Sequence, residues 1–278
     1  MDKSGRTSRR GMLAGAAGVA AAGLSLSAAS AAPKKKPGHG GGKGKPFKRP
    51  TVVLVHGFWG GAAHWTKVIL QLKALGYEDI HAVENPLTSL ANDAARTRQM
   101  IAQVKGPVVL VGHSYGGMVI TEAGDQPNVV ALVYIAAFGP DVGESIASLG
   151  AGGPPPPGIK NVRPDSDGYL WIPQDKFRES FCQDLTADEA LVMAVTQKAP
   201  LGSTAADKAT SAAWKSKPSW YQVSSEDRMI PPAGEAQMAA RMKPKKTITL
   251  KASHASLASH PVEVAALIDE AARATAKG

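Results

Sequence analysis

The chain has 278 residues, 44 % of them hydrophobic, with 32 Lys and Arg against 23 Asp and Glu and a single Cys. That apolar content can fill a core, which excludes wholesale disorder, and the length suits one large α/β domain or two small ones. One cysteine excludes an intramolecular disulfide and any Cys-clustered zinc site. The net charge of +9 is unevenly placed. Residues 1–31 hold four basic side chains and one acid, residues 32–49 hold seven and none, and the remaining 229 residues hold 21 basic and 22 acidic ones. Without a net positive field on the bulk of the chain, nucleic-acid binding is not expected.

Residues 1–31 have the parts of an export signal: a basic start, a mildly apolar Ala- and Gly-rich run over 12–26, and small residues at 28–32. The pair Arg9-Arg10, after Ser8 and just ahead of Met12-Leu13, resembles a twin-arginine signal. Ala29-Ser30-Ala31 offers an A-x-A site, which places cleavage after Ala31. Fifteen apolar residues rich in Gly are too short for a membrane anchor. The mature protein is therefore expected outside the cytoplasm, extracellular or at the cell surface, without a membrane span. Residues 32–50 read as a basic Gly- and Pro-rich flexible linker. Its arm, 33–49, is a solvated spacer on the simpler view and makes weak contact with an anionic cell surface on the sharper one. His39 within it is expected to be inert.

From Thr51 the pattern becomes regular. The apolar run 51–55 predicts a buried strand, and the 3.6-residue spacing of Trp65, Val68, Ile69 and Leu72 predicts a helix over 62–75, closed by Gly76. A weaker strand follows near 80–84 and a polar helix over about 89–104. Strand 107–112, helix 115–125 and strand 129–137 come next. Residues 141–217 break the rhythm with a Gly- and Pro-rich opening and helical pieces, one introduced by a capping box at Thr186 and Glu189. Alternation resumes with strand 219–225, helix 233–242, strand 246–252 and a last helix over 262–276, capped near Ser259. The fold class is α/β: a mostly parallel sheet with helices on both faces and an inserted helical cap at about 141–217.

Between strand 107–112 and its helix lies Gly112-His113-Ser114-Tyr115-Gly116. A G-x-S-x-G pentapeptide is common by chance, but this one occupies the strand-to-helix turn that a nucleophile elbow requires. Small residues at both flanks allow the turn, and the serine is presented at a helix N-terminus, where developing negative charge is favoured. A serine hydroxyl needs a base, itself oriented by an acid. His254 follows strand 246–252 and Asp227 follows strand 219–225, so both fall at the sheet edge that carries Ser114. Glu226 and Asp141 remain alternative acids and His260 an alternative base, although His260 precedes Pro261 and suits a capping role. The oxyanion donors are expected to be the backbone N–H groups of Tyr115 and Phe58, the latter in the Gly-rich loop 56–61. His56 reads as an organiser of that loop, His64 and His81 as packing or surface residues, and Cys182 as a buried apolar residue.

The segments HGFWGGAAHW, GHSYGGMVIT, LVYIAAFGPD, SSEDRMIPP and SHASLASHP occur in that order. Over residues 51–276 the chain thereby resembles the α/β-hydrolase superfamily, within it the small lidded esterases that include plant salicylate methyl esterases and hydroxynitrile lyases. The resemblance implies a Ser114–His254–Asp227 triad, a helical lid over 141–217 and no cofactor or metal. Hydroxynitrile lyases of this group carry a lysine directly after the catalytic histidine, where this chain has Ala255. Dehalogenases and epoxide hydrolases of the same fold carry an aspartate where this chain has Ser114. The expectation is an exported serine carboxylesterase acting on small to medium, largely apolar esters with water as co-substrate. A non-catalytic surface binding protein, or a lyase or C–C hydrolase with the same triad, is the alternative. Trp171, Phe177, Phe181, Leu191, Met193 and Trp214 supply apolar surface in the lid, for its own core or for a pocket wall.

Overall fold

β-branched residues in unbroken apolar runs favour strands covered on both faces. The computed structural model describes residues 48–151 and 153–276, so the export segment and most of the linker lie outside the described residues. In chain order the body begins with β1 (Thr51–Val55), α1 (Thr66–Ala74), β2 (Ile80–Val83), α2 (Leu90–Gln103), β3 (Val108–His113), α3 (Gly116–Ala123) and β4 (Val129–Ile135). The insertion supplies α4 (Ile146–Leu149), β5 (Arg163–Pro164), β6 (Leu170–Trp171), α5 (Gln174–Phe181) and α6 (Ala187–Val195). The body closes with β7 (Ser219–Ser224), α7 (Pro232–Met242), β8 (Lys246–Leu250), α8 (Ser256–Ser259) and α9 (Pro261–Thr275).

Six strands form one parallel sheet in the order β2-β1-β3-β4-β7-β8. Their side chains alternate between two cores. Val53, Val55, Leu110 and Tyr134 face α2, α3 and α7, whereas Val52, Leu54, Val109, Val111 and Val133 face α1 and α9. Each fully buried aliphatic side chain of this kind contributes roughly 1.5–3 kcal/mol. Because the strands are parallel, the loops after β1, β3, β7 and β8 all emerge on one edge, the edge where open α/β sheets bind ligands. Among the described residues no helix is long and apolar enough to cross a membrane.

Several boundaries differ from expectation for local reasons. The first helix opens as a 3-10 turn, Ala62–Trp65, whose first N–H donates to Glu84 Oε2 at 2.8 Å, since Gly61 ahead of it has no capping side chain. The cap expected near Ser259 is absent. Ser259 ends α8 and pairs with the His260 ring at 2.9 Å, while α9 starts on Pro261, which has no N–H to satisfy. His260 likewise makes no capping bond. The insertion is not purely helical, since β5 and β6 pair as a short antiparallel ribbon. Its turn is held by Asp165, which accepts the N–H groups of Asp167 and Tyr169 and the indole N–H of Trp171, each at 2.9 Å. Two-residue strands leave no periodic trace. The folded unit also starts before Thr51: Pro50 is buried and the Arg49 guanidinium lies 5.5 Å from the Tyr77 ring centroid.

Two polar pins fasten the insertion to the body. The capping box at α6 forms as expected, with Glu189 accepting from the Thr186 backbone and Thr186 from the Glu189 N–H. Glu189 also pairs with Lys67 of α1 at 2.5 Å. Buried Glu122 of α3 accepts the N–H groups of Thr210 (2.8 Å) and Ser211 (3.1 Å). Thr186→Ala removes one capping acceptor and should lower stability by about 1 kcal/mol. Urea unfolding checks this; an unchanged midpoint would show that the box contributes nothing.

Candidate active site

β3 ends at His113 and the chain reverses at Ser114, whose φ of +55° is in the left-handed region. For a residue with a Cβ that conformation costs on the order of 1–3 kcal/mol and persists only where its surroundings enforce it. Here they do. The Ser114 N–H donates to Ile135 O at 3.2 Å, and its carbonyl accepts from Gly117 (2.9 Å) and Phe138 (3.1 Å). The backbones are in such close contact that a Cβ on Gly112 would lie 2.5 Å from Gly116 O, and one on Gly116 2.4 Å from Val55 O. Only glycine fits at either position.

The turn aims Ser114 at His254, from the loop after β8. The Ser114 Oγ lies 2.8 Å from His254 Nε2, and His254 Nδ1 lies 2.5 Å from Asp227 Oδ2. The Nδ1–H donates to the carboxylate, which leaves Nε2 free to accept the serine proton. Asp227 is fixed in turn, its Oδ1 accepting the N–H groups of Met229 (2.6 Å) and Ile230 (2.9 Å). Both the His254 and the Asp227 side chains are wholly buried. Phe181 packs edge-on against the His254 ring at 4.9 Å and closes it off from the insertion side.

The alternatives named from sequence lie elsewhere. Glu226 is exposed, 3.7 Å from Lys251, and Asp141 pairs with Lys215 at 2.5 Å. The His260 ring pairs with Ser259 Oγ at 2.9 Å. Cys182 is buried, and that burial pushes its thiol up to about 12. His81 pairs with Asp79 at 2.7 Å near the surface, and His64 packs against Phe181, with burial lowering its pKa to about 4. Among the described residues no group of His, Cys, Asp and Glu is placed to hold a metal ion.

The loop after β1 closes over the serine. A Cβ on Gly57 would stand 2.6 Å from Ser114 Cβ, so this backbone passes directly beside the hydroxyl. Buried His56 organises the loop: its Nδ1–H donates to Gly57 O at 2.9 Å and its Nε2 accepts the Asn85 N–H at 3.0 Å. Desolvation lowers its pKa and favours this neutral form. Among the described residues the backbone N–H groups of Phe58 and Tyr115 have no acceptor.

Three residues at the site carried no visible signal in the sequence. His113 donates from Nε2 to the backbone carbonyl of His254 at 2.8 Å, and burial keeps it neutral. Glu235 of α7 is fully buried; its Oε2 accepts the Ser224 N–H at 3.0 Å, and its carboxyl feels the nearby Asp227. Burial, reinforced by the Asp227 charge, pushes Glu235 well above the usual carboxylate range. Asp93 of α2 is also fully buried and binds the Tyr115 hydroxyl. Asp93 and Glu235 sit in helices whose neighbouring residues give no hint of burial, and nothing in the motif around His113 shows its contact with His254.

A cavity of about 790 Å³ opens on Ser114. Its walls are largely apolar and include Phe58, Trp59, Phe138, Ile146, Leu149 and Met238, with Gln237 and Arg241 as polar exceptions. None of the six insertion side chains singled out from sequence lines it. Phe177 and Phe181 fill the core, while Trp171 and Leu191 face solvent.

A sequence profile of the alpha/beta hydrolase family matches residues 52–267. The chain belongs to the alpha/beta hydrolase family. It is 29 % identical to the alpha/beta hydrolase nvfD of Aspergillus novofumigatus over 248 residues, 81 % of this chain and 97 % of that one. It is 36 % identical to methylesterase 7 of Arabidopsis thaliana over 107 residues, 32 % of this chain and 40 % of the relative. Among solved structures, a pyrethroid hydrolase from Sphingobium faniae shares the fold with a TM-score of 0.68 at 21 % identity, covering 81 % of this chain and 98 % of that one. The resemblance to lidded esterases is thus matched by esterase relatives on the same alpha/beta hydrolase fold.

The buried Glu235 makes a prediction with a definite sign. A carboxyl whose pKa is raised by folding stabilises fully below its unfolded value, about 4.3, and loses that contribution as pH rises toward the folded value. Glu235→Gln keeps the size of the side chain, is neutral and has no proton to lose. The Tm of this variant relative to wild type should therefore rise between pH 4 and pH 8. A difference that does not change with pH would show that Glu235 ionises normally.

Proposed function

We propose that this alpha/beta hydrolase is an exported serine carboxylesterase, with Ser114 as nucleophile, His254 as general base and acid, and Asp227 as the acid that orients it. The observation that carries this reading is the relay of contacts from Ser114 Oγ to His254 Nε2 (2.8 Å) and from His254 Nδ1 to Asp227 (2.5 Å). Ser114 Oγ attacks the ester carbonyl while His254 Nε2 takes the hydroxyl proton. The negative oxygen that forms is received by the N–H groups of Phe58 and Tyr115, which have no other acceptor among the described residues. As the tetrahedral intermediate collapses, His254 returns the proton to the departing alcohol and leaves an acyl-Ser114. Water then repeats the sequence with His254 as base, releasing the carboxylic acid and restoring the serine.

The apolar cavity favours esters whose acyl or alcohol part is largely uncharged. Ester hydrolysis is also consistent with the methylesterase relative. Ala255 occupies the position where a lysine serves the related lyases, which sets cyanohydrin cleavage behind it.

Ser114→Ala should reduce kcat on a short p-nitrophenyl ester by at least about 10⁴-fold, with the circular dichroism spectrum unchanged. Undiminished turnover would refute the assignment, and absence of turnover in the wild-type protein would favour a binding role on the same scaffold. Export is proposed from residues 1–31 alone. Replacing Arg9 and Arg10 together by lysine should retain the protein in the cytoplasm in a cell-fractionation assay; normal export of that variant would refute the twin-arginine route.

A further inference from the structure

Asp93 lies in the first turn of α2 with no exposed surface. A buried carboxylate is tolerated where donors satisfy it, and this one has two. Its Oδ1 accepts the Leu87 N–H at 2.8 Å and its Oδ2 the Tyr115 hydroxyl at 2.6 Å. The ring of Tyr115, tethered in this way, stacks on the ring of Phe58 with centroids 4.1 Å apart and planes 20° from parallel. Among the described residues the backbone N–H groups of Phe58 and Tyr115, beside Ser114, have no acceptor. One carboxylate thus reaches both candidate oxyanion donors, the first through a hydroxyl and the second through a ring stack.

The rest of the Phe58 loop is braced from the other side. The Trp59 N–H donates to Lys198 O at 3.1 Å and its indole N–H to Leu170 O at 2.8 Å, both in the insertion. Trp59 has a φ of +56°, and its ring meets Phe58 edge-on at 5.8 Å. The Phe58 ring is therefore gripped between Trp59 and Tyr115, and only the Tyr115 side leads to a charged anchor.

We propose that Asp93 is a positioning residue for the oxyanion site, holding the N–H groups of Tyr115 and Phe58 in place through the Tyr115 hydroxyl and the Tyr115–Phe58 stack. This inference rests on the esterase reading above. Oxyanion donors act only when they stand about 2.7–3.1 Å from the oxygen in its transition-state position, so small displacements of either backbone weaken them. Substrate binding in the apolar cavity does not use these donors to the same degree. Loss of the anchor must therefore appear in kcat and leave KM nearly unchanged. A merely structural Asp93 would lower stability without that split.

Tyr115→Phe deletes one hydroxyl and keeps the stack, Asp93→Asn keeps the shape of the side chain, and Phe58→Leu removes the stack while keeping the backbone donor. For each, kcat and KM on a p-nitrophenyl ester are compared with Ki for a trifluoromethyl ketone, whose adduct with Ser114 places a negative oxygen in the donor site. For Tyr115→Phe and Asp93→Asn the expected result is a fall in kcat of about tenfold with KM within about twofold, matched by an equal rise in ketone Ki. Phe58→Leu, whose side chain also lines the cavity, is read by kcat and ketone Ki alone. The Asp93→Asn, Tyr115→Phe double variant should be no worse than either single one, since both cut the same chain of contacts. If kcat and ketone Ki of Tyr115→Phe stay within twofold of wild type while Ser114→Ala is inactive, the inference is overturned and the esterase reading stands. Should Asp93→Asn fail to fold, Tyr115→Phe and Phe58→Leu decide the matter. If wild-type protein neither hydrolyses the ester nor binds the ketone, the esterase reading fails and the inference falls with it.

Discussion

The site depends on one turn that only a few sequences can make. Ser114 holds a left-handed backbone at the point where β3 gives way to α3, and three polypeptide segments converge within contact distance of it. Gly112 and Gly116 let the turn close on itself and on β1, and Gly57 lets the next loop pass beside the serine side chain. A methyl group at any of these positions would collide with a neighbouring segment, at two of them with backbone inside the sheet framework, where nothing can yield cheaply. Once the turn is made, parallel strands of the same sheet bring Asp227 and His254 to the same edge without further strain.

Around this turn several buried polar groups hold one another and the backbone in place. His56 and His113 are neutral and hold backbone carbonyls of Gly57 and His254. Asp227 accepts two backbone N–H groups and the His254 ring, while Asp93 accepts Leu87 and Tyr115. In so dry a setting each bond is stronger than in water and each missing partner more costly. The result is a rigid wall behind the serine, with the apolar cavity on its open side. The insertion completes that cavity with Ile146, Leu149 and Leu170 and pins the Phe58 loop through Trp59.

Much of this was legible in the sequence because it follows from local rules. Short β-branched apolar runs marked most of the strands, and a glycine-flanked serine between strand and helix marked the turn. Strand order then placed Asp227 and His254. Choosing among Asp227, Glu226 and Asp141 was another matter: adjacent residues after a strand point to opposite sides, and only the fold shows that Glu226 faces solvent. Asp93 and Glu235 were invisible for a different reason. An acid in the first turns of a helix ordinarily serves the helix dipole from the surface, and nothing in sequence separates that case from a buried anchor. The cavity wall was hidden too, because large aromatics of the insertion went to its own core while smaller residues and a proline run faced Ser114.

The central claim is that Ser114 is the atom-transfer point, activated by His254 and Asp227. Reaction of the native protein with a fluorophosphonate, followed by peptide mapping by mass spectrometry, tests it most directly. A single phosphonyl adduct on the peptide containing Ser114, lost on prior heat denaturation, is the predicted result. No adduct, or one on another residue, would contradict the account.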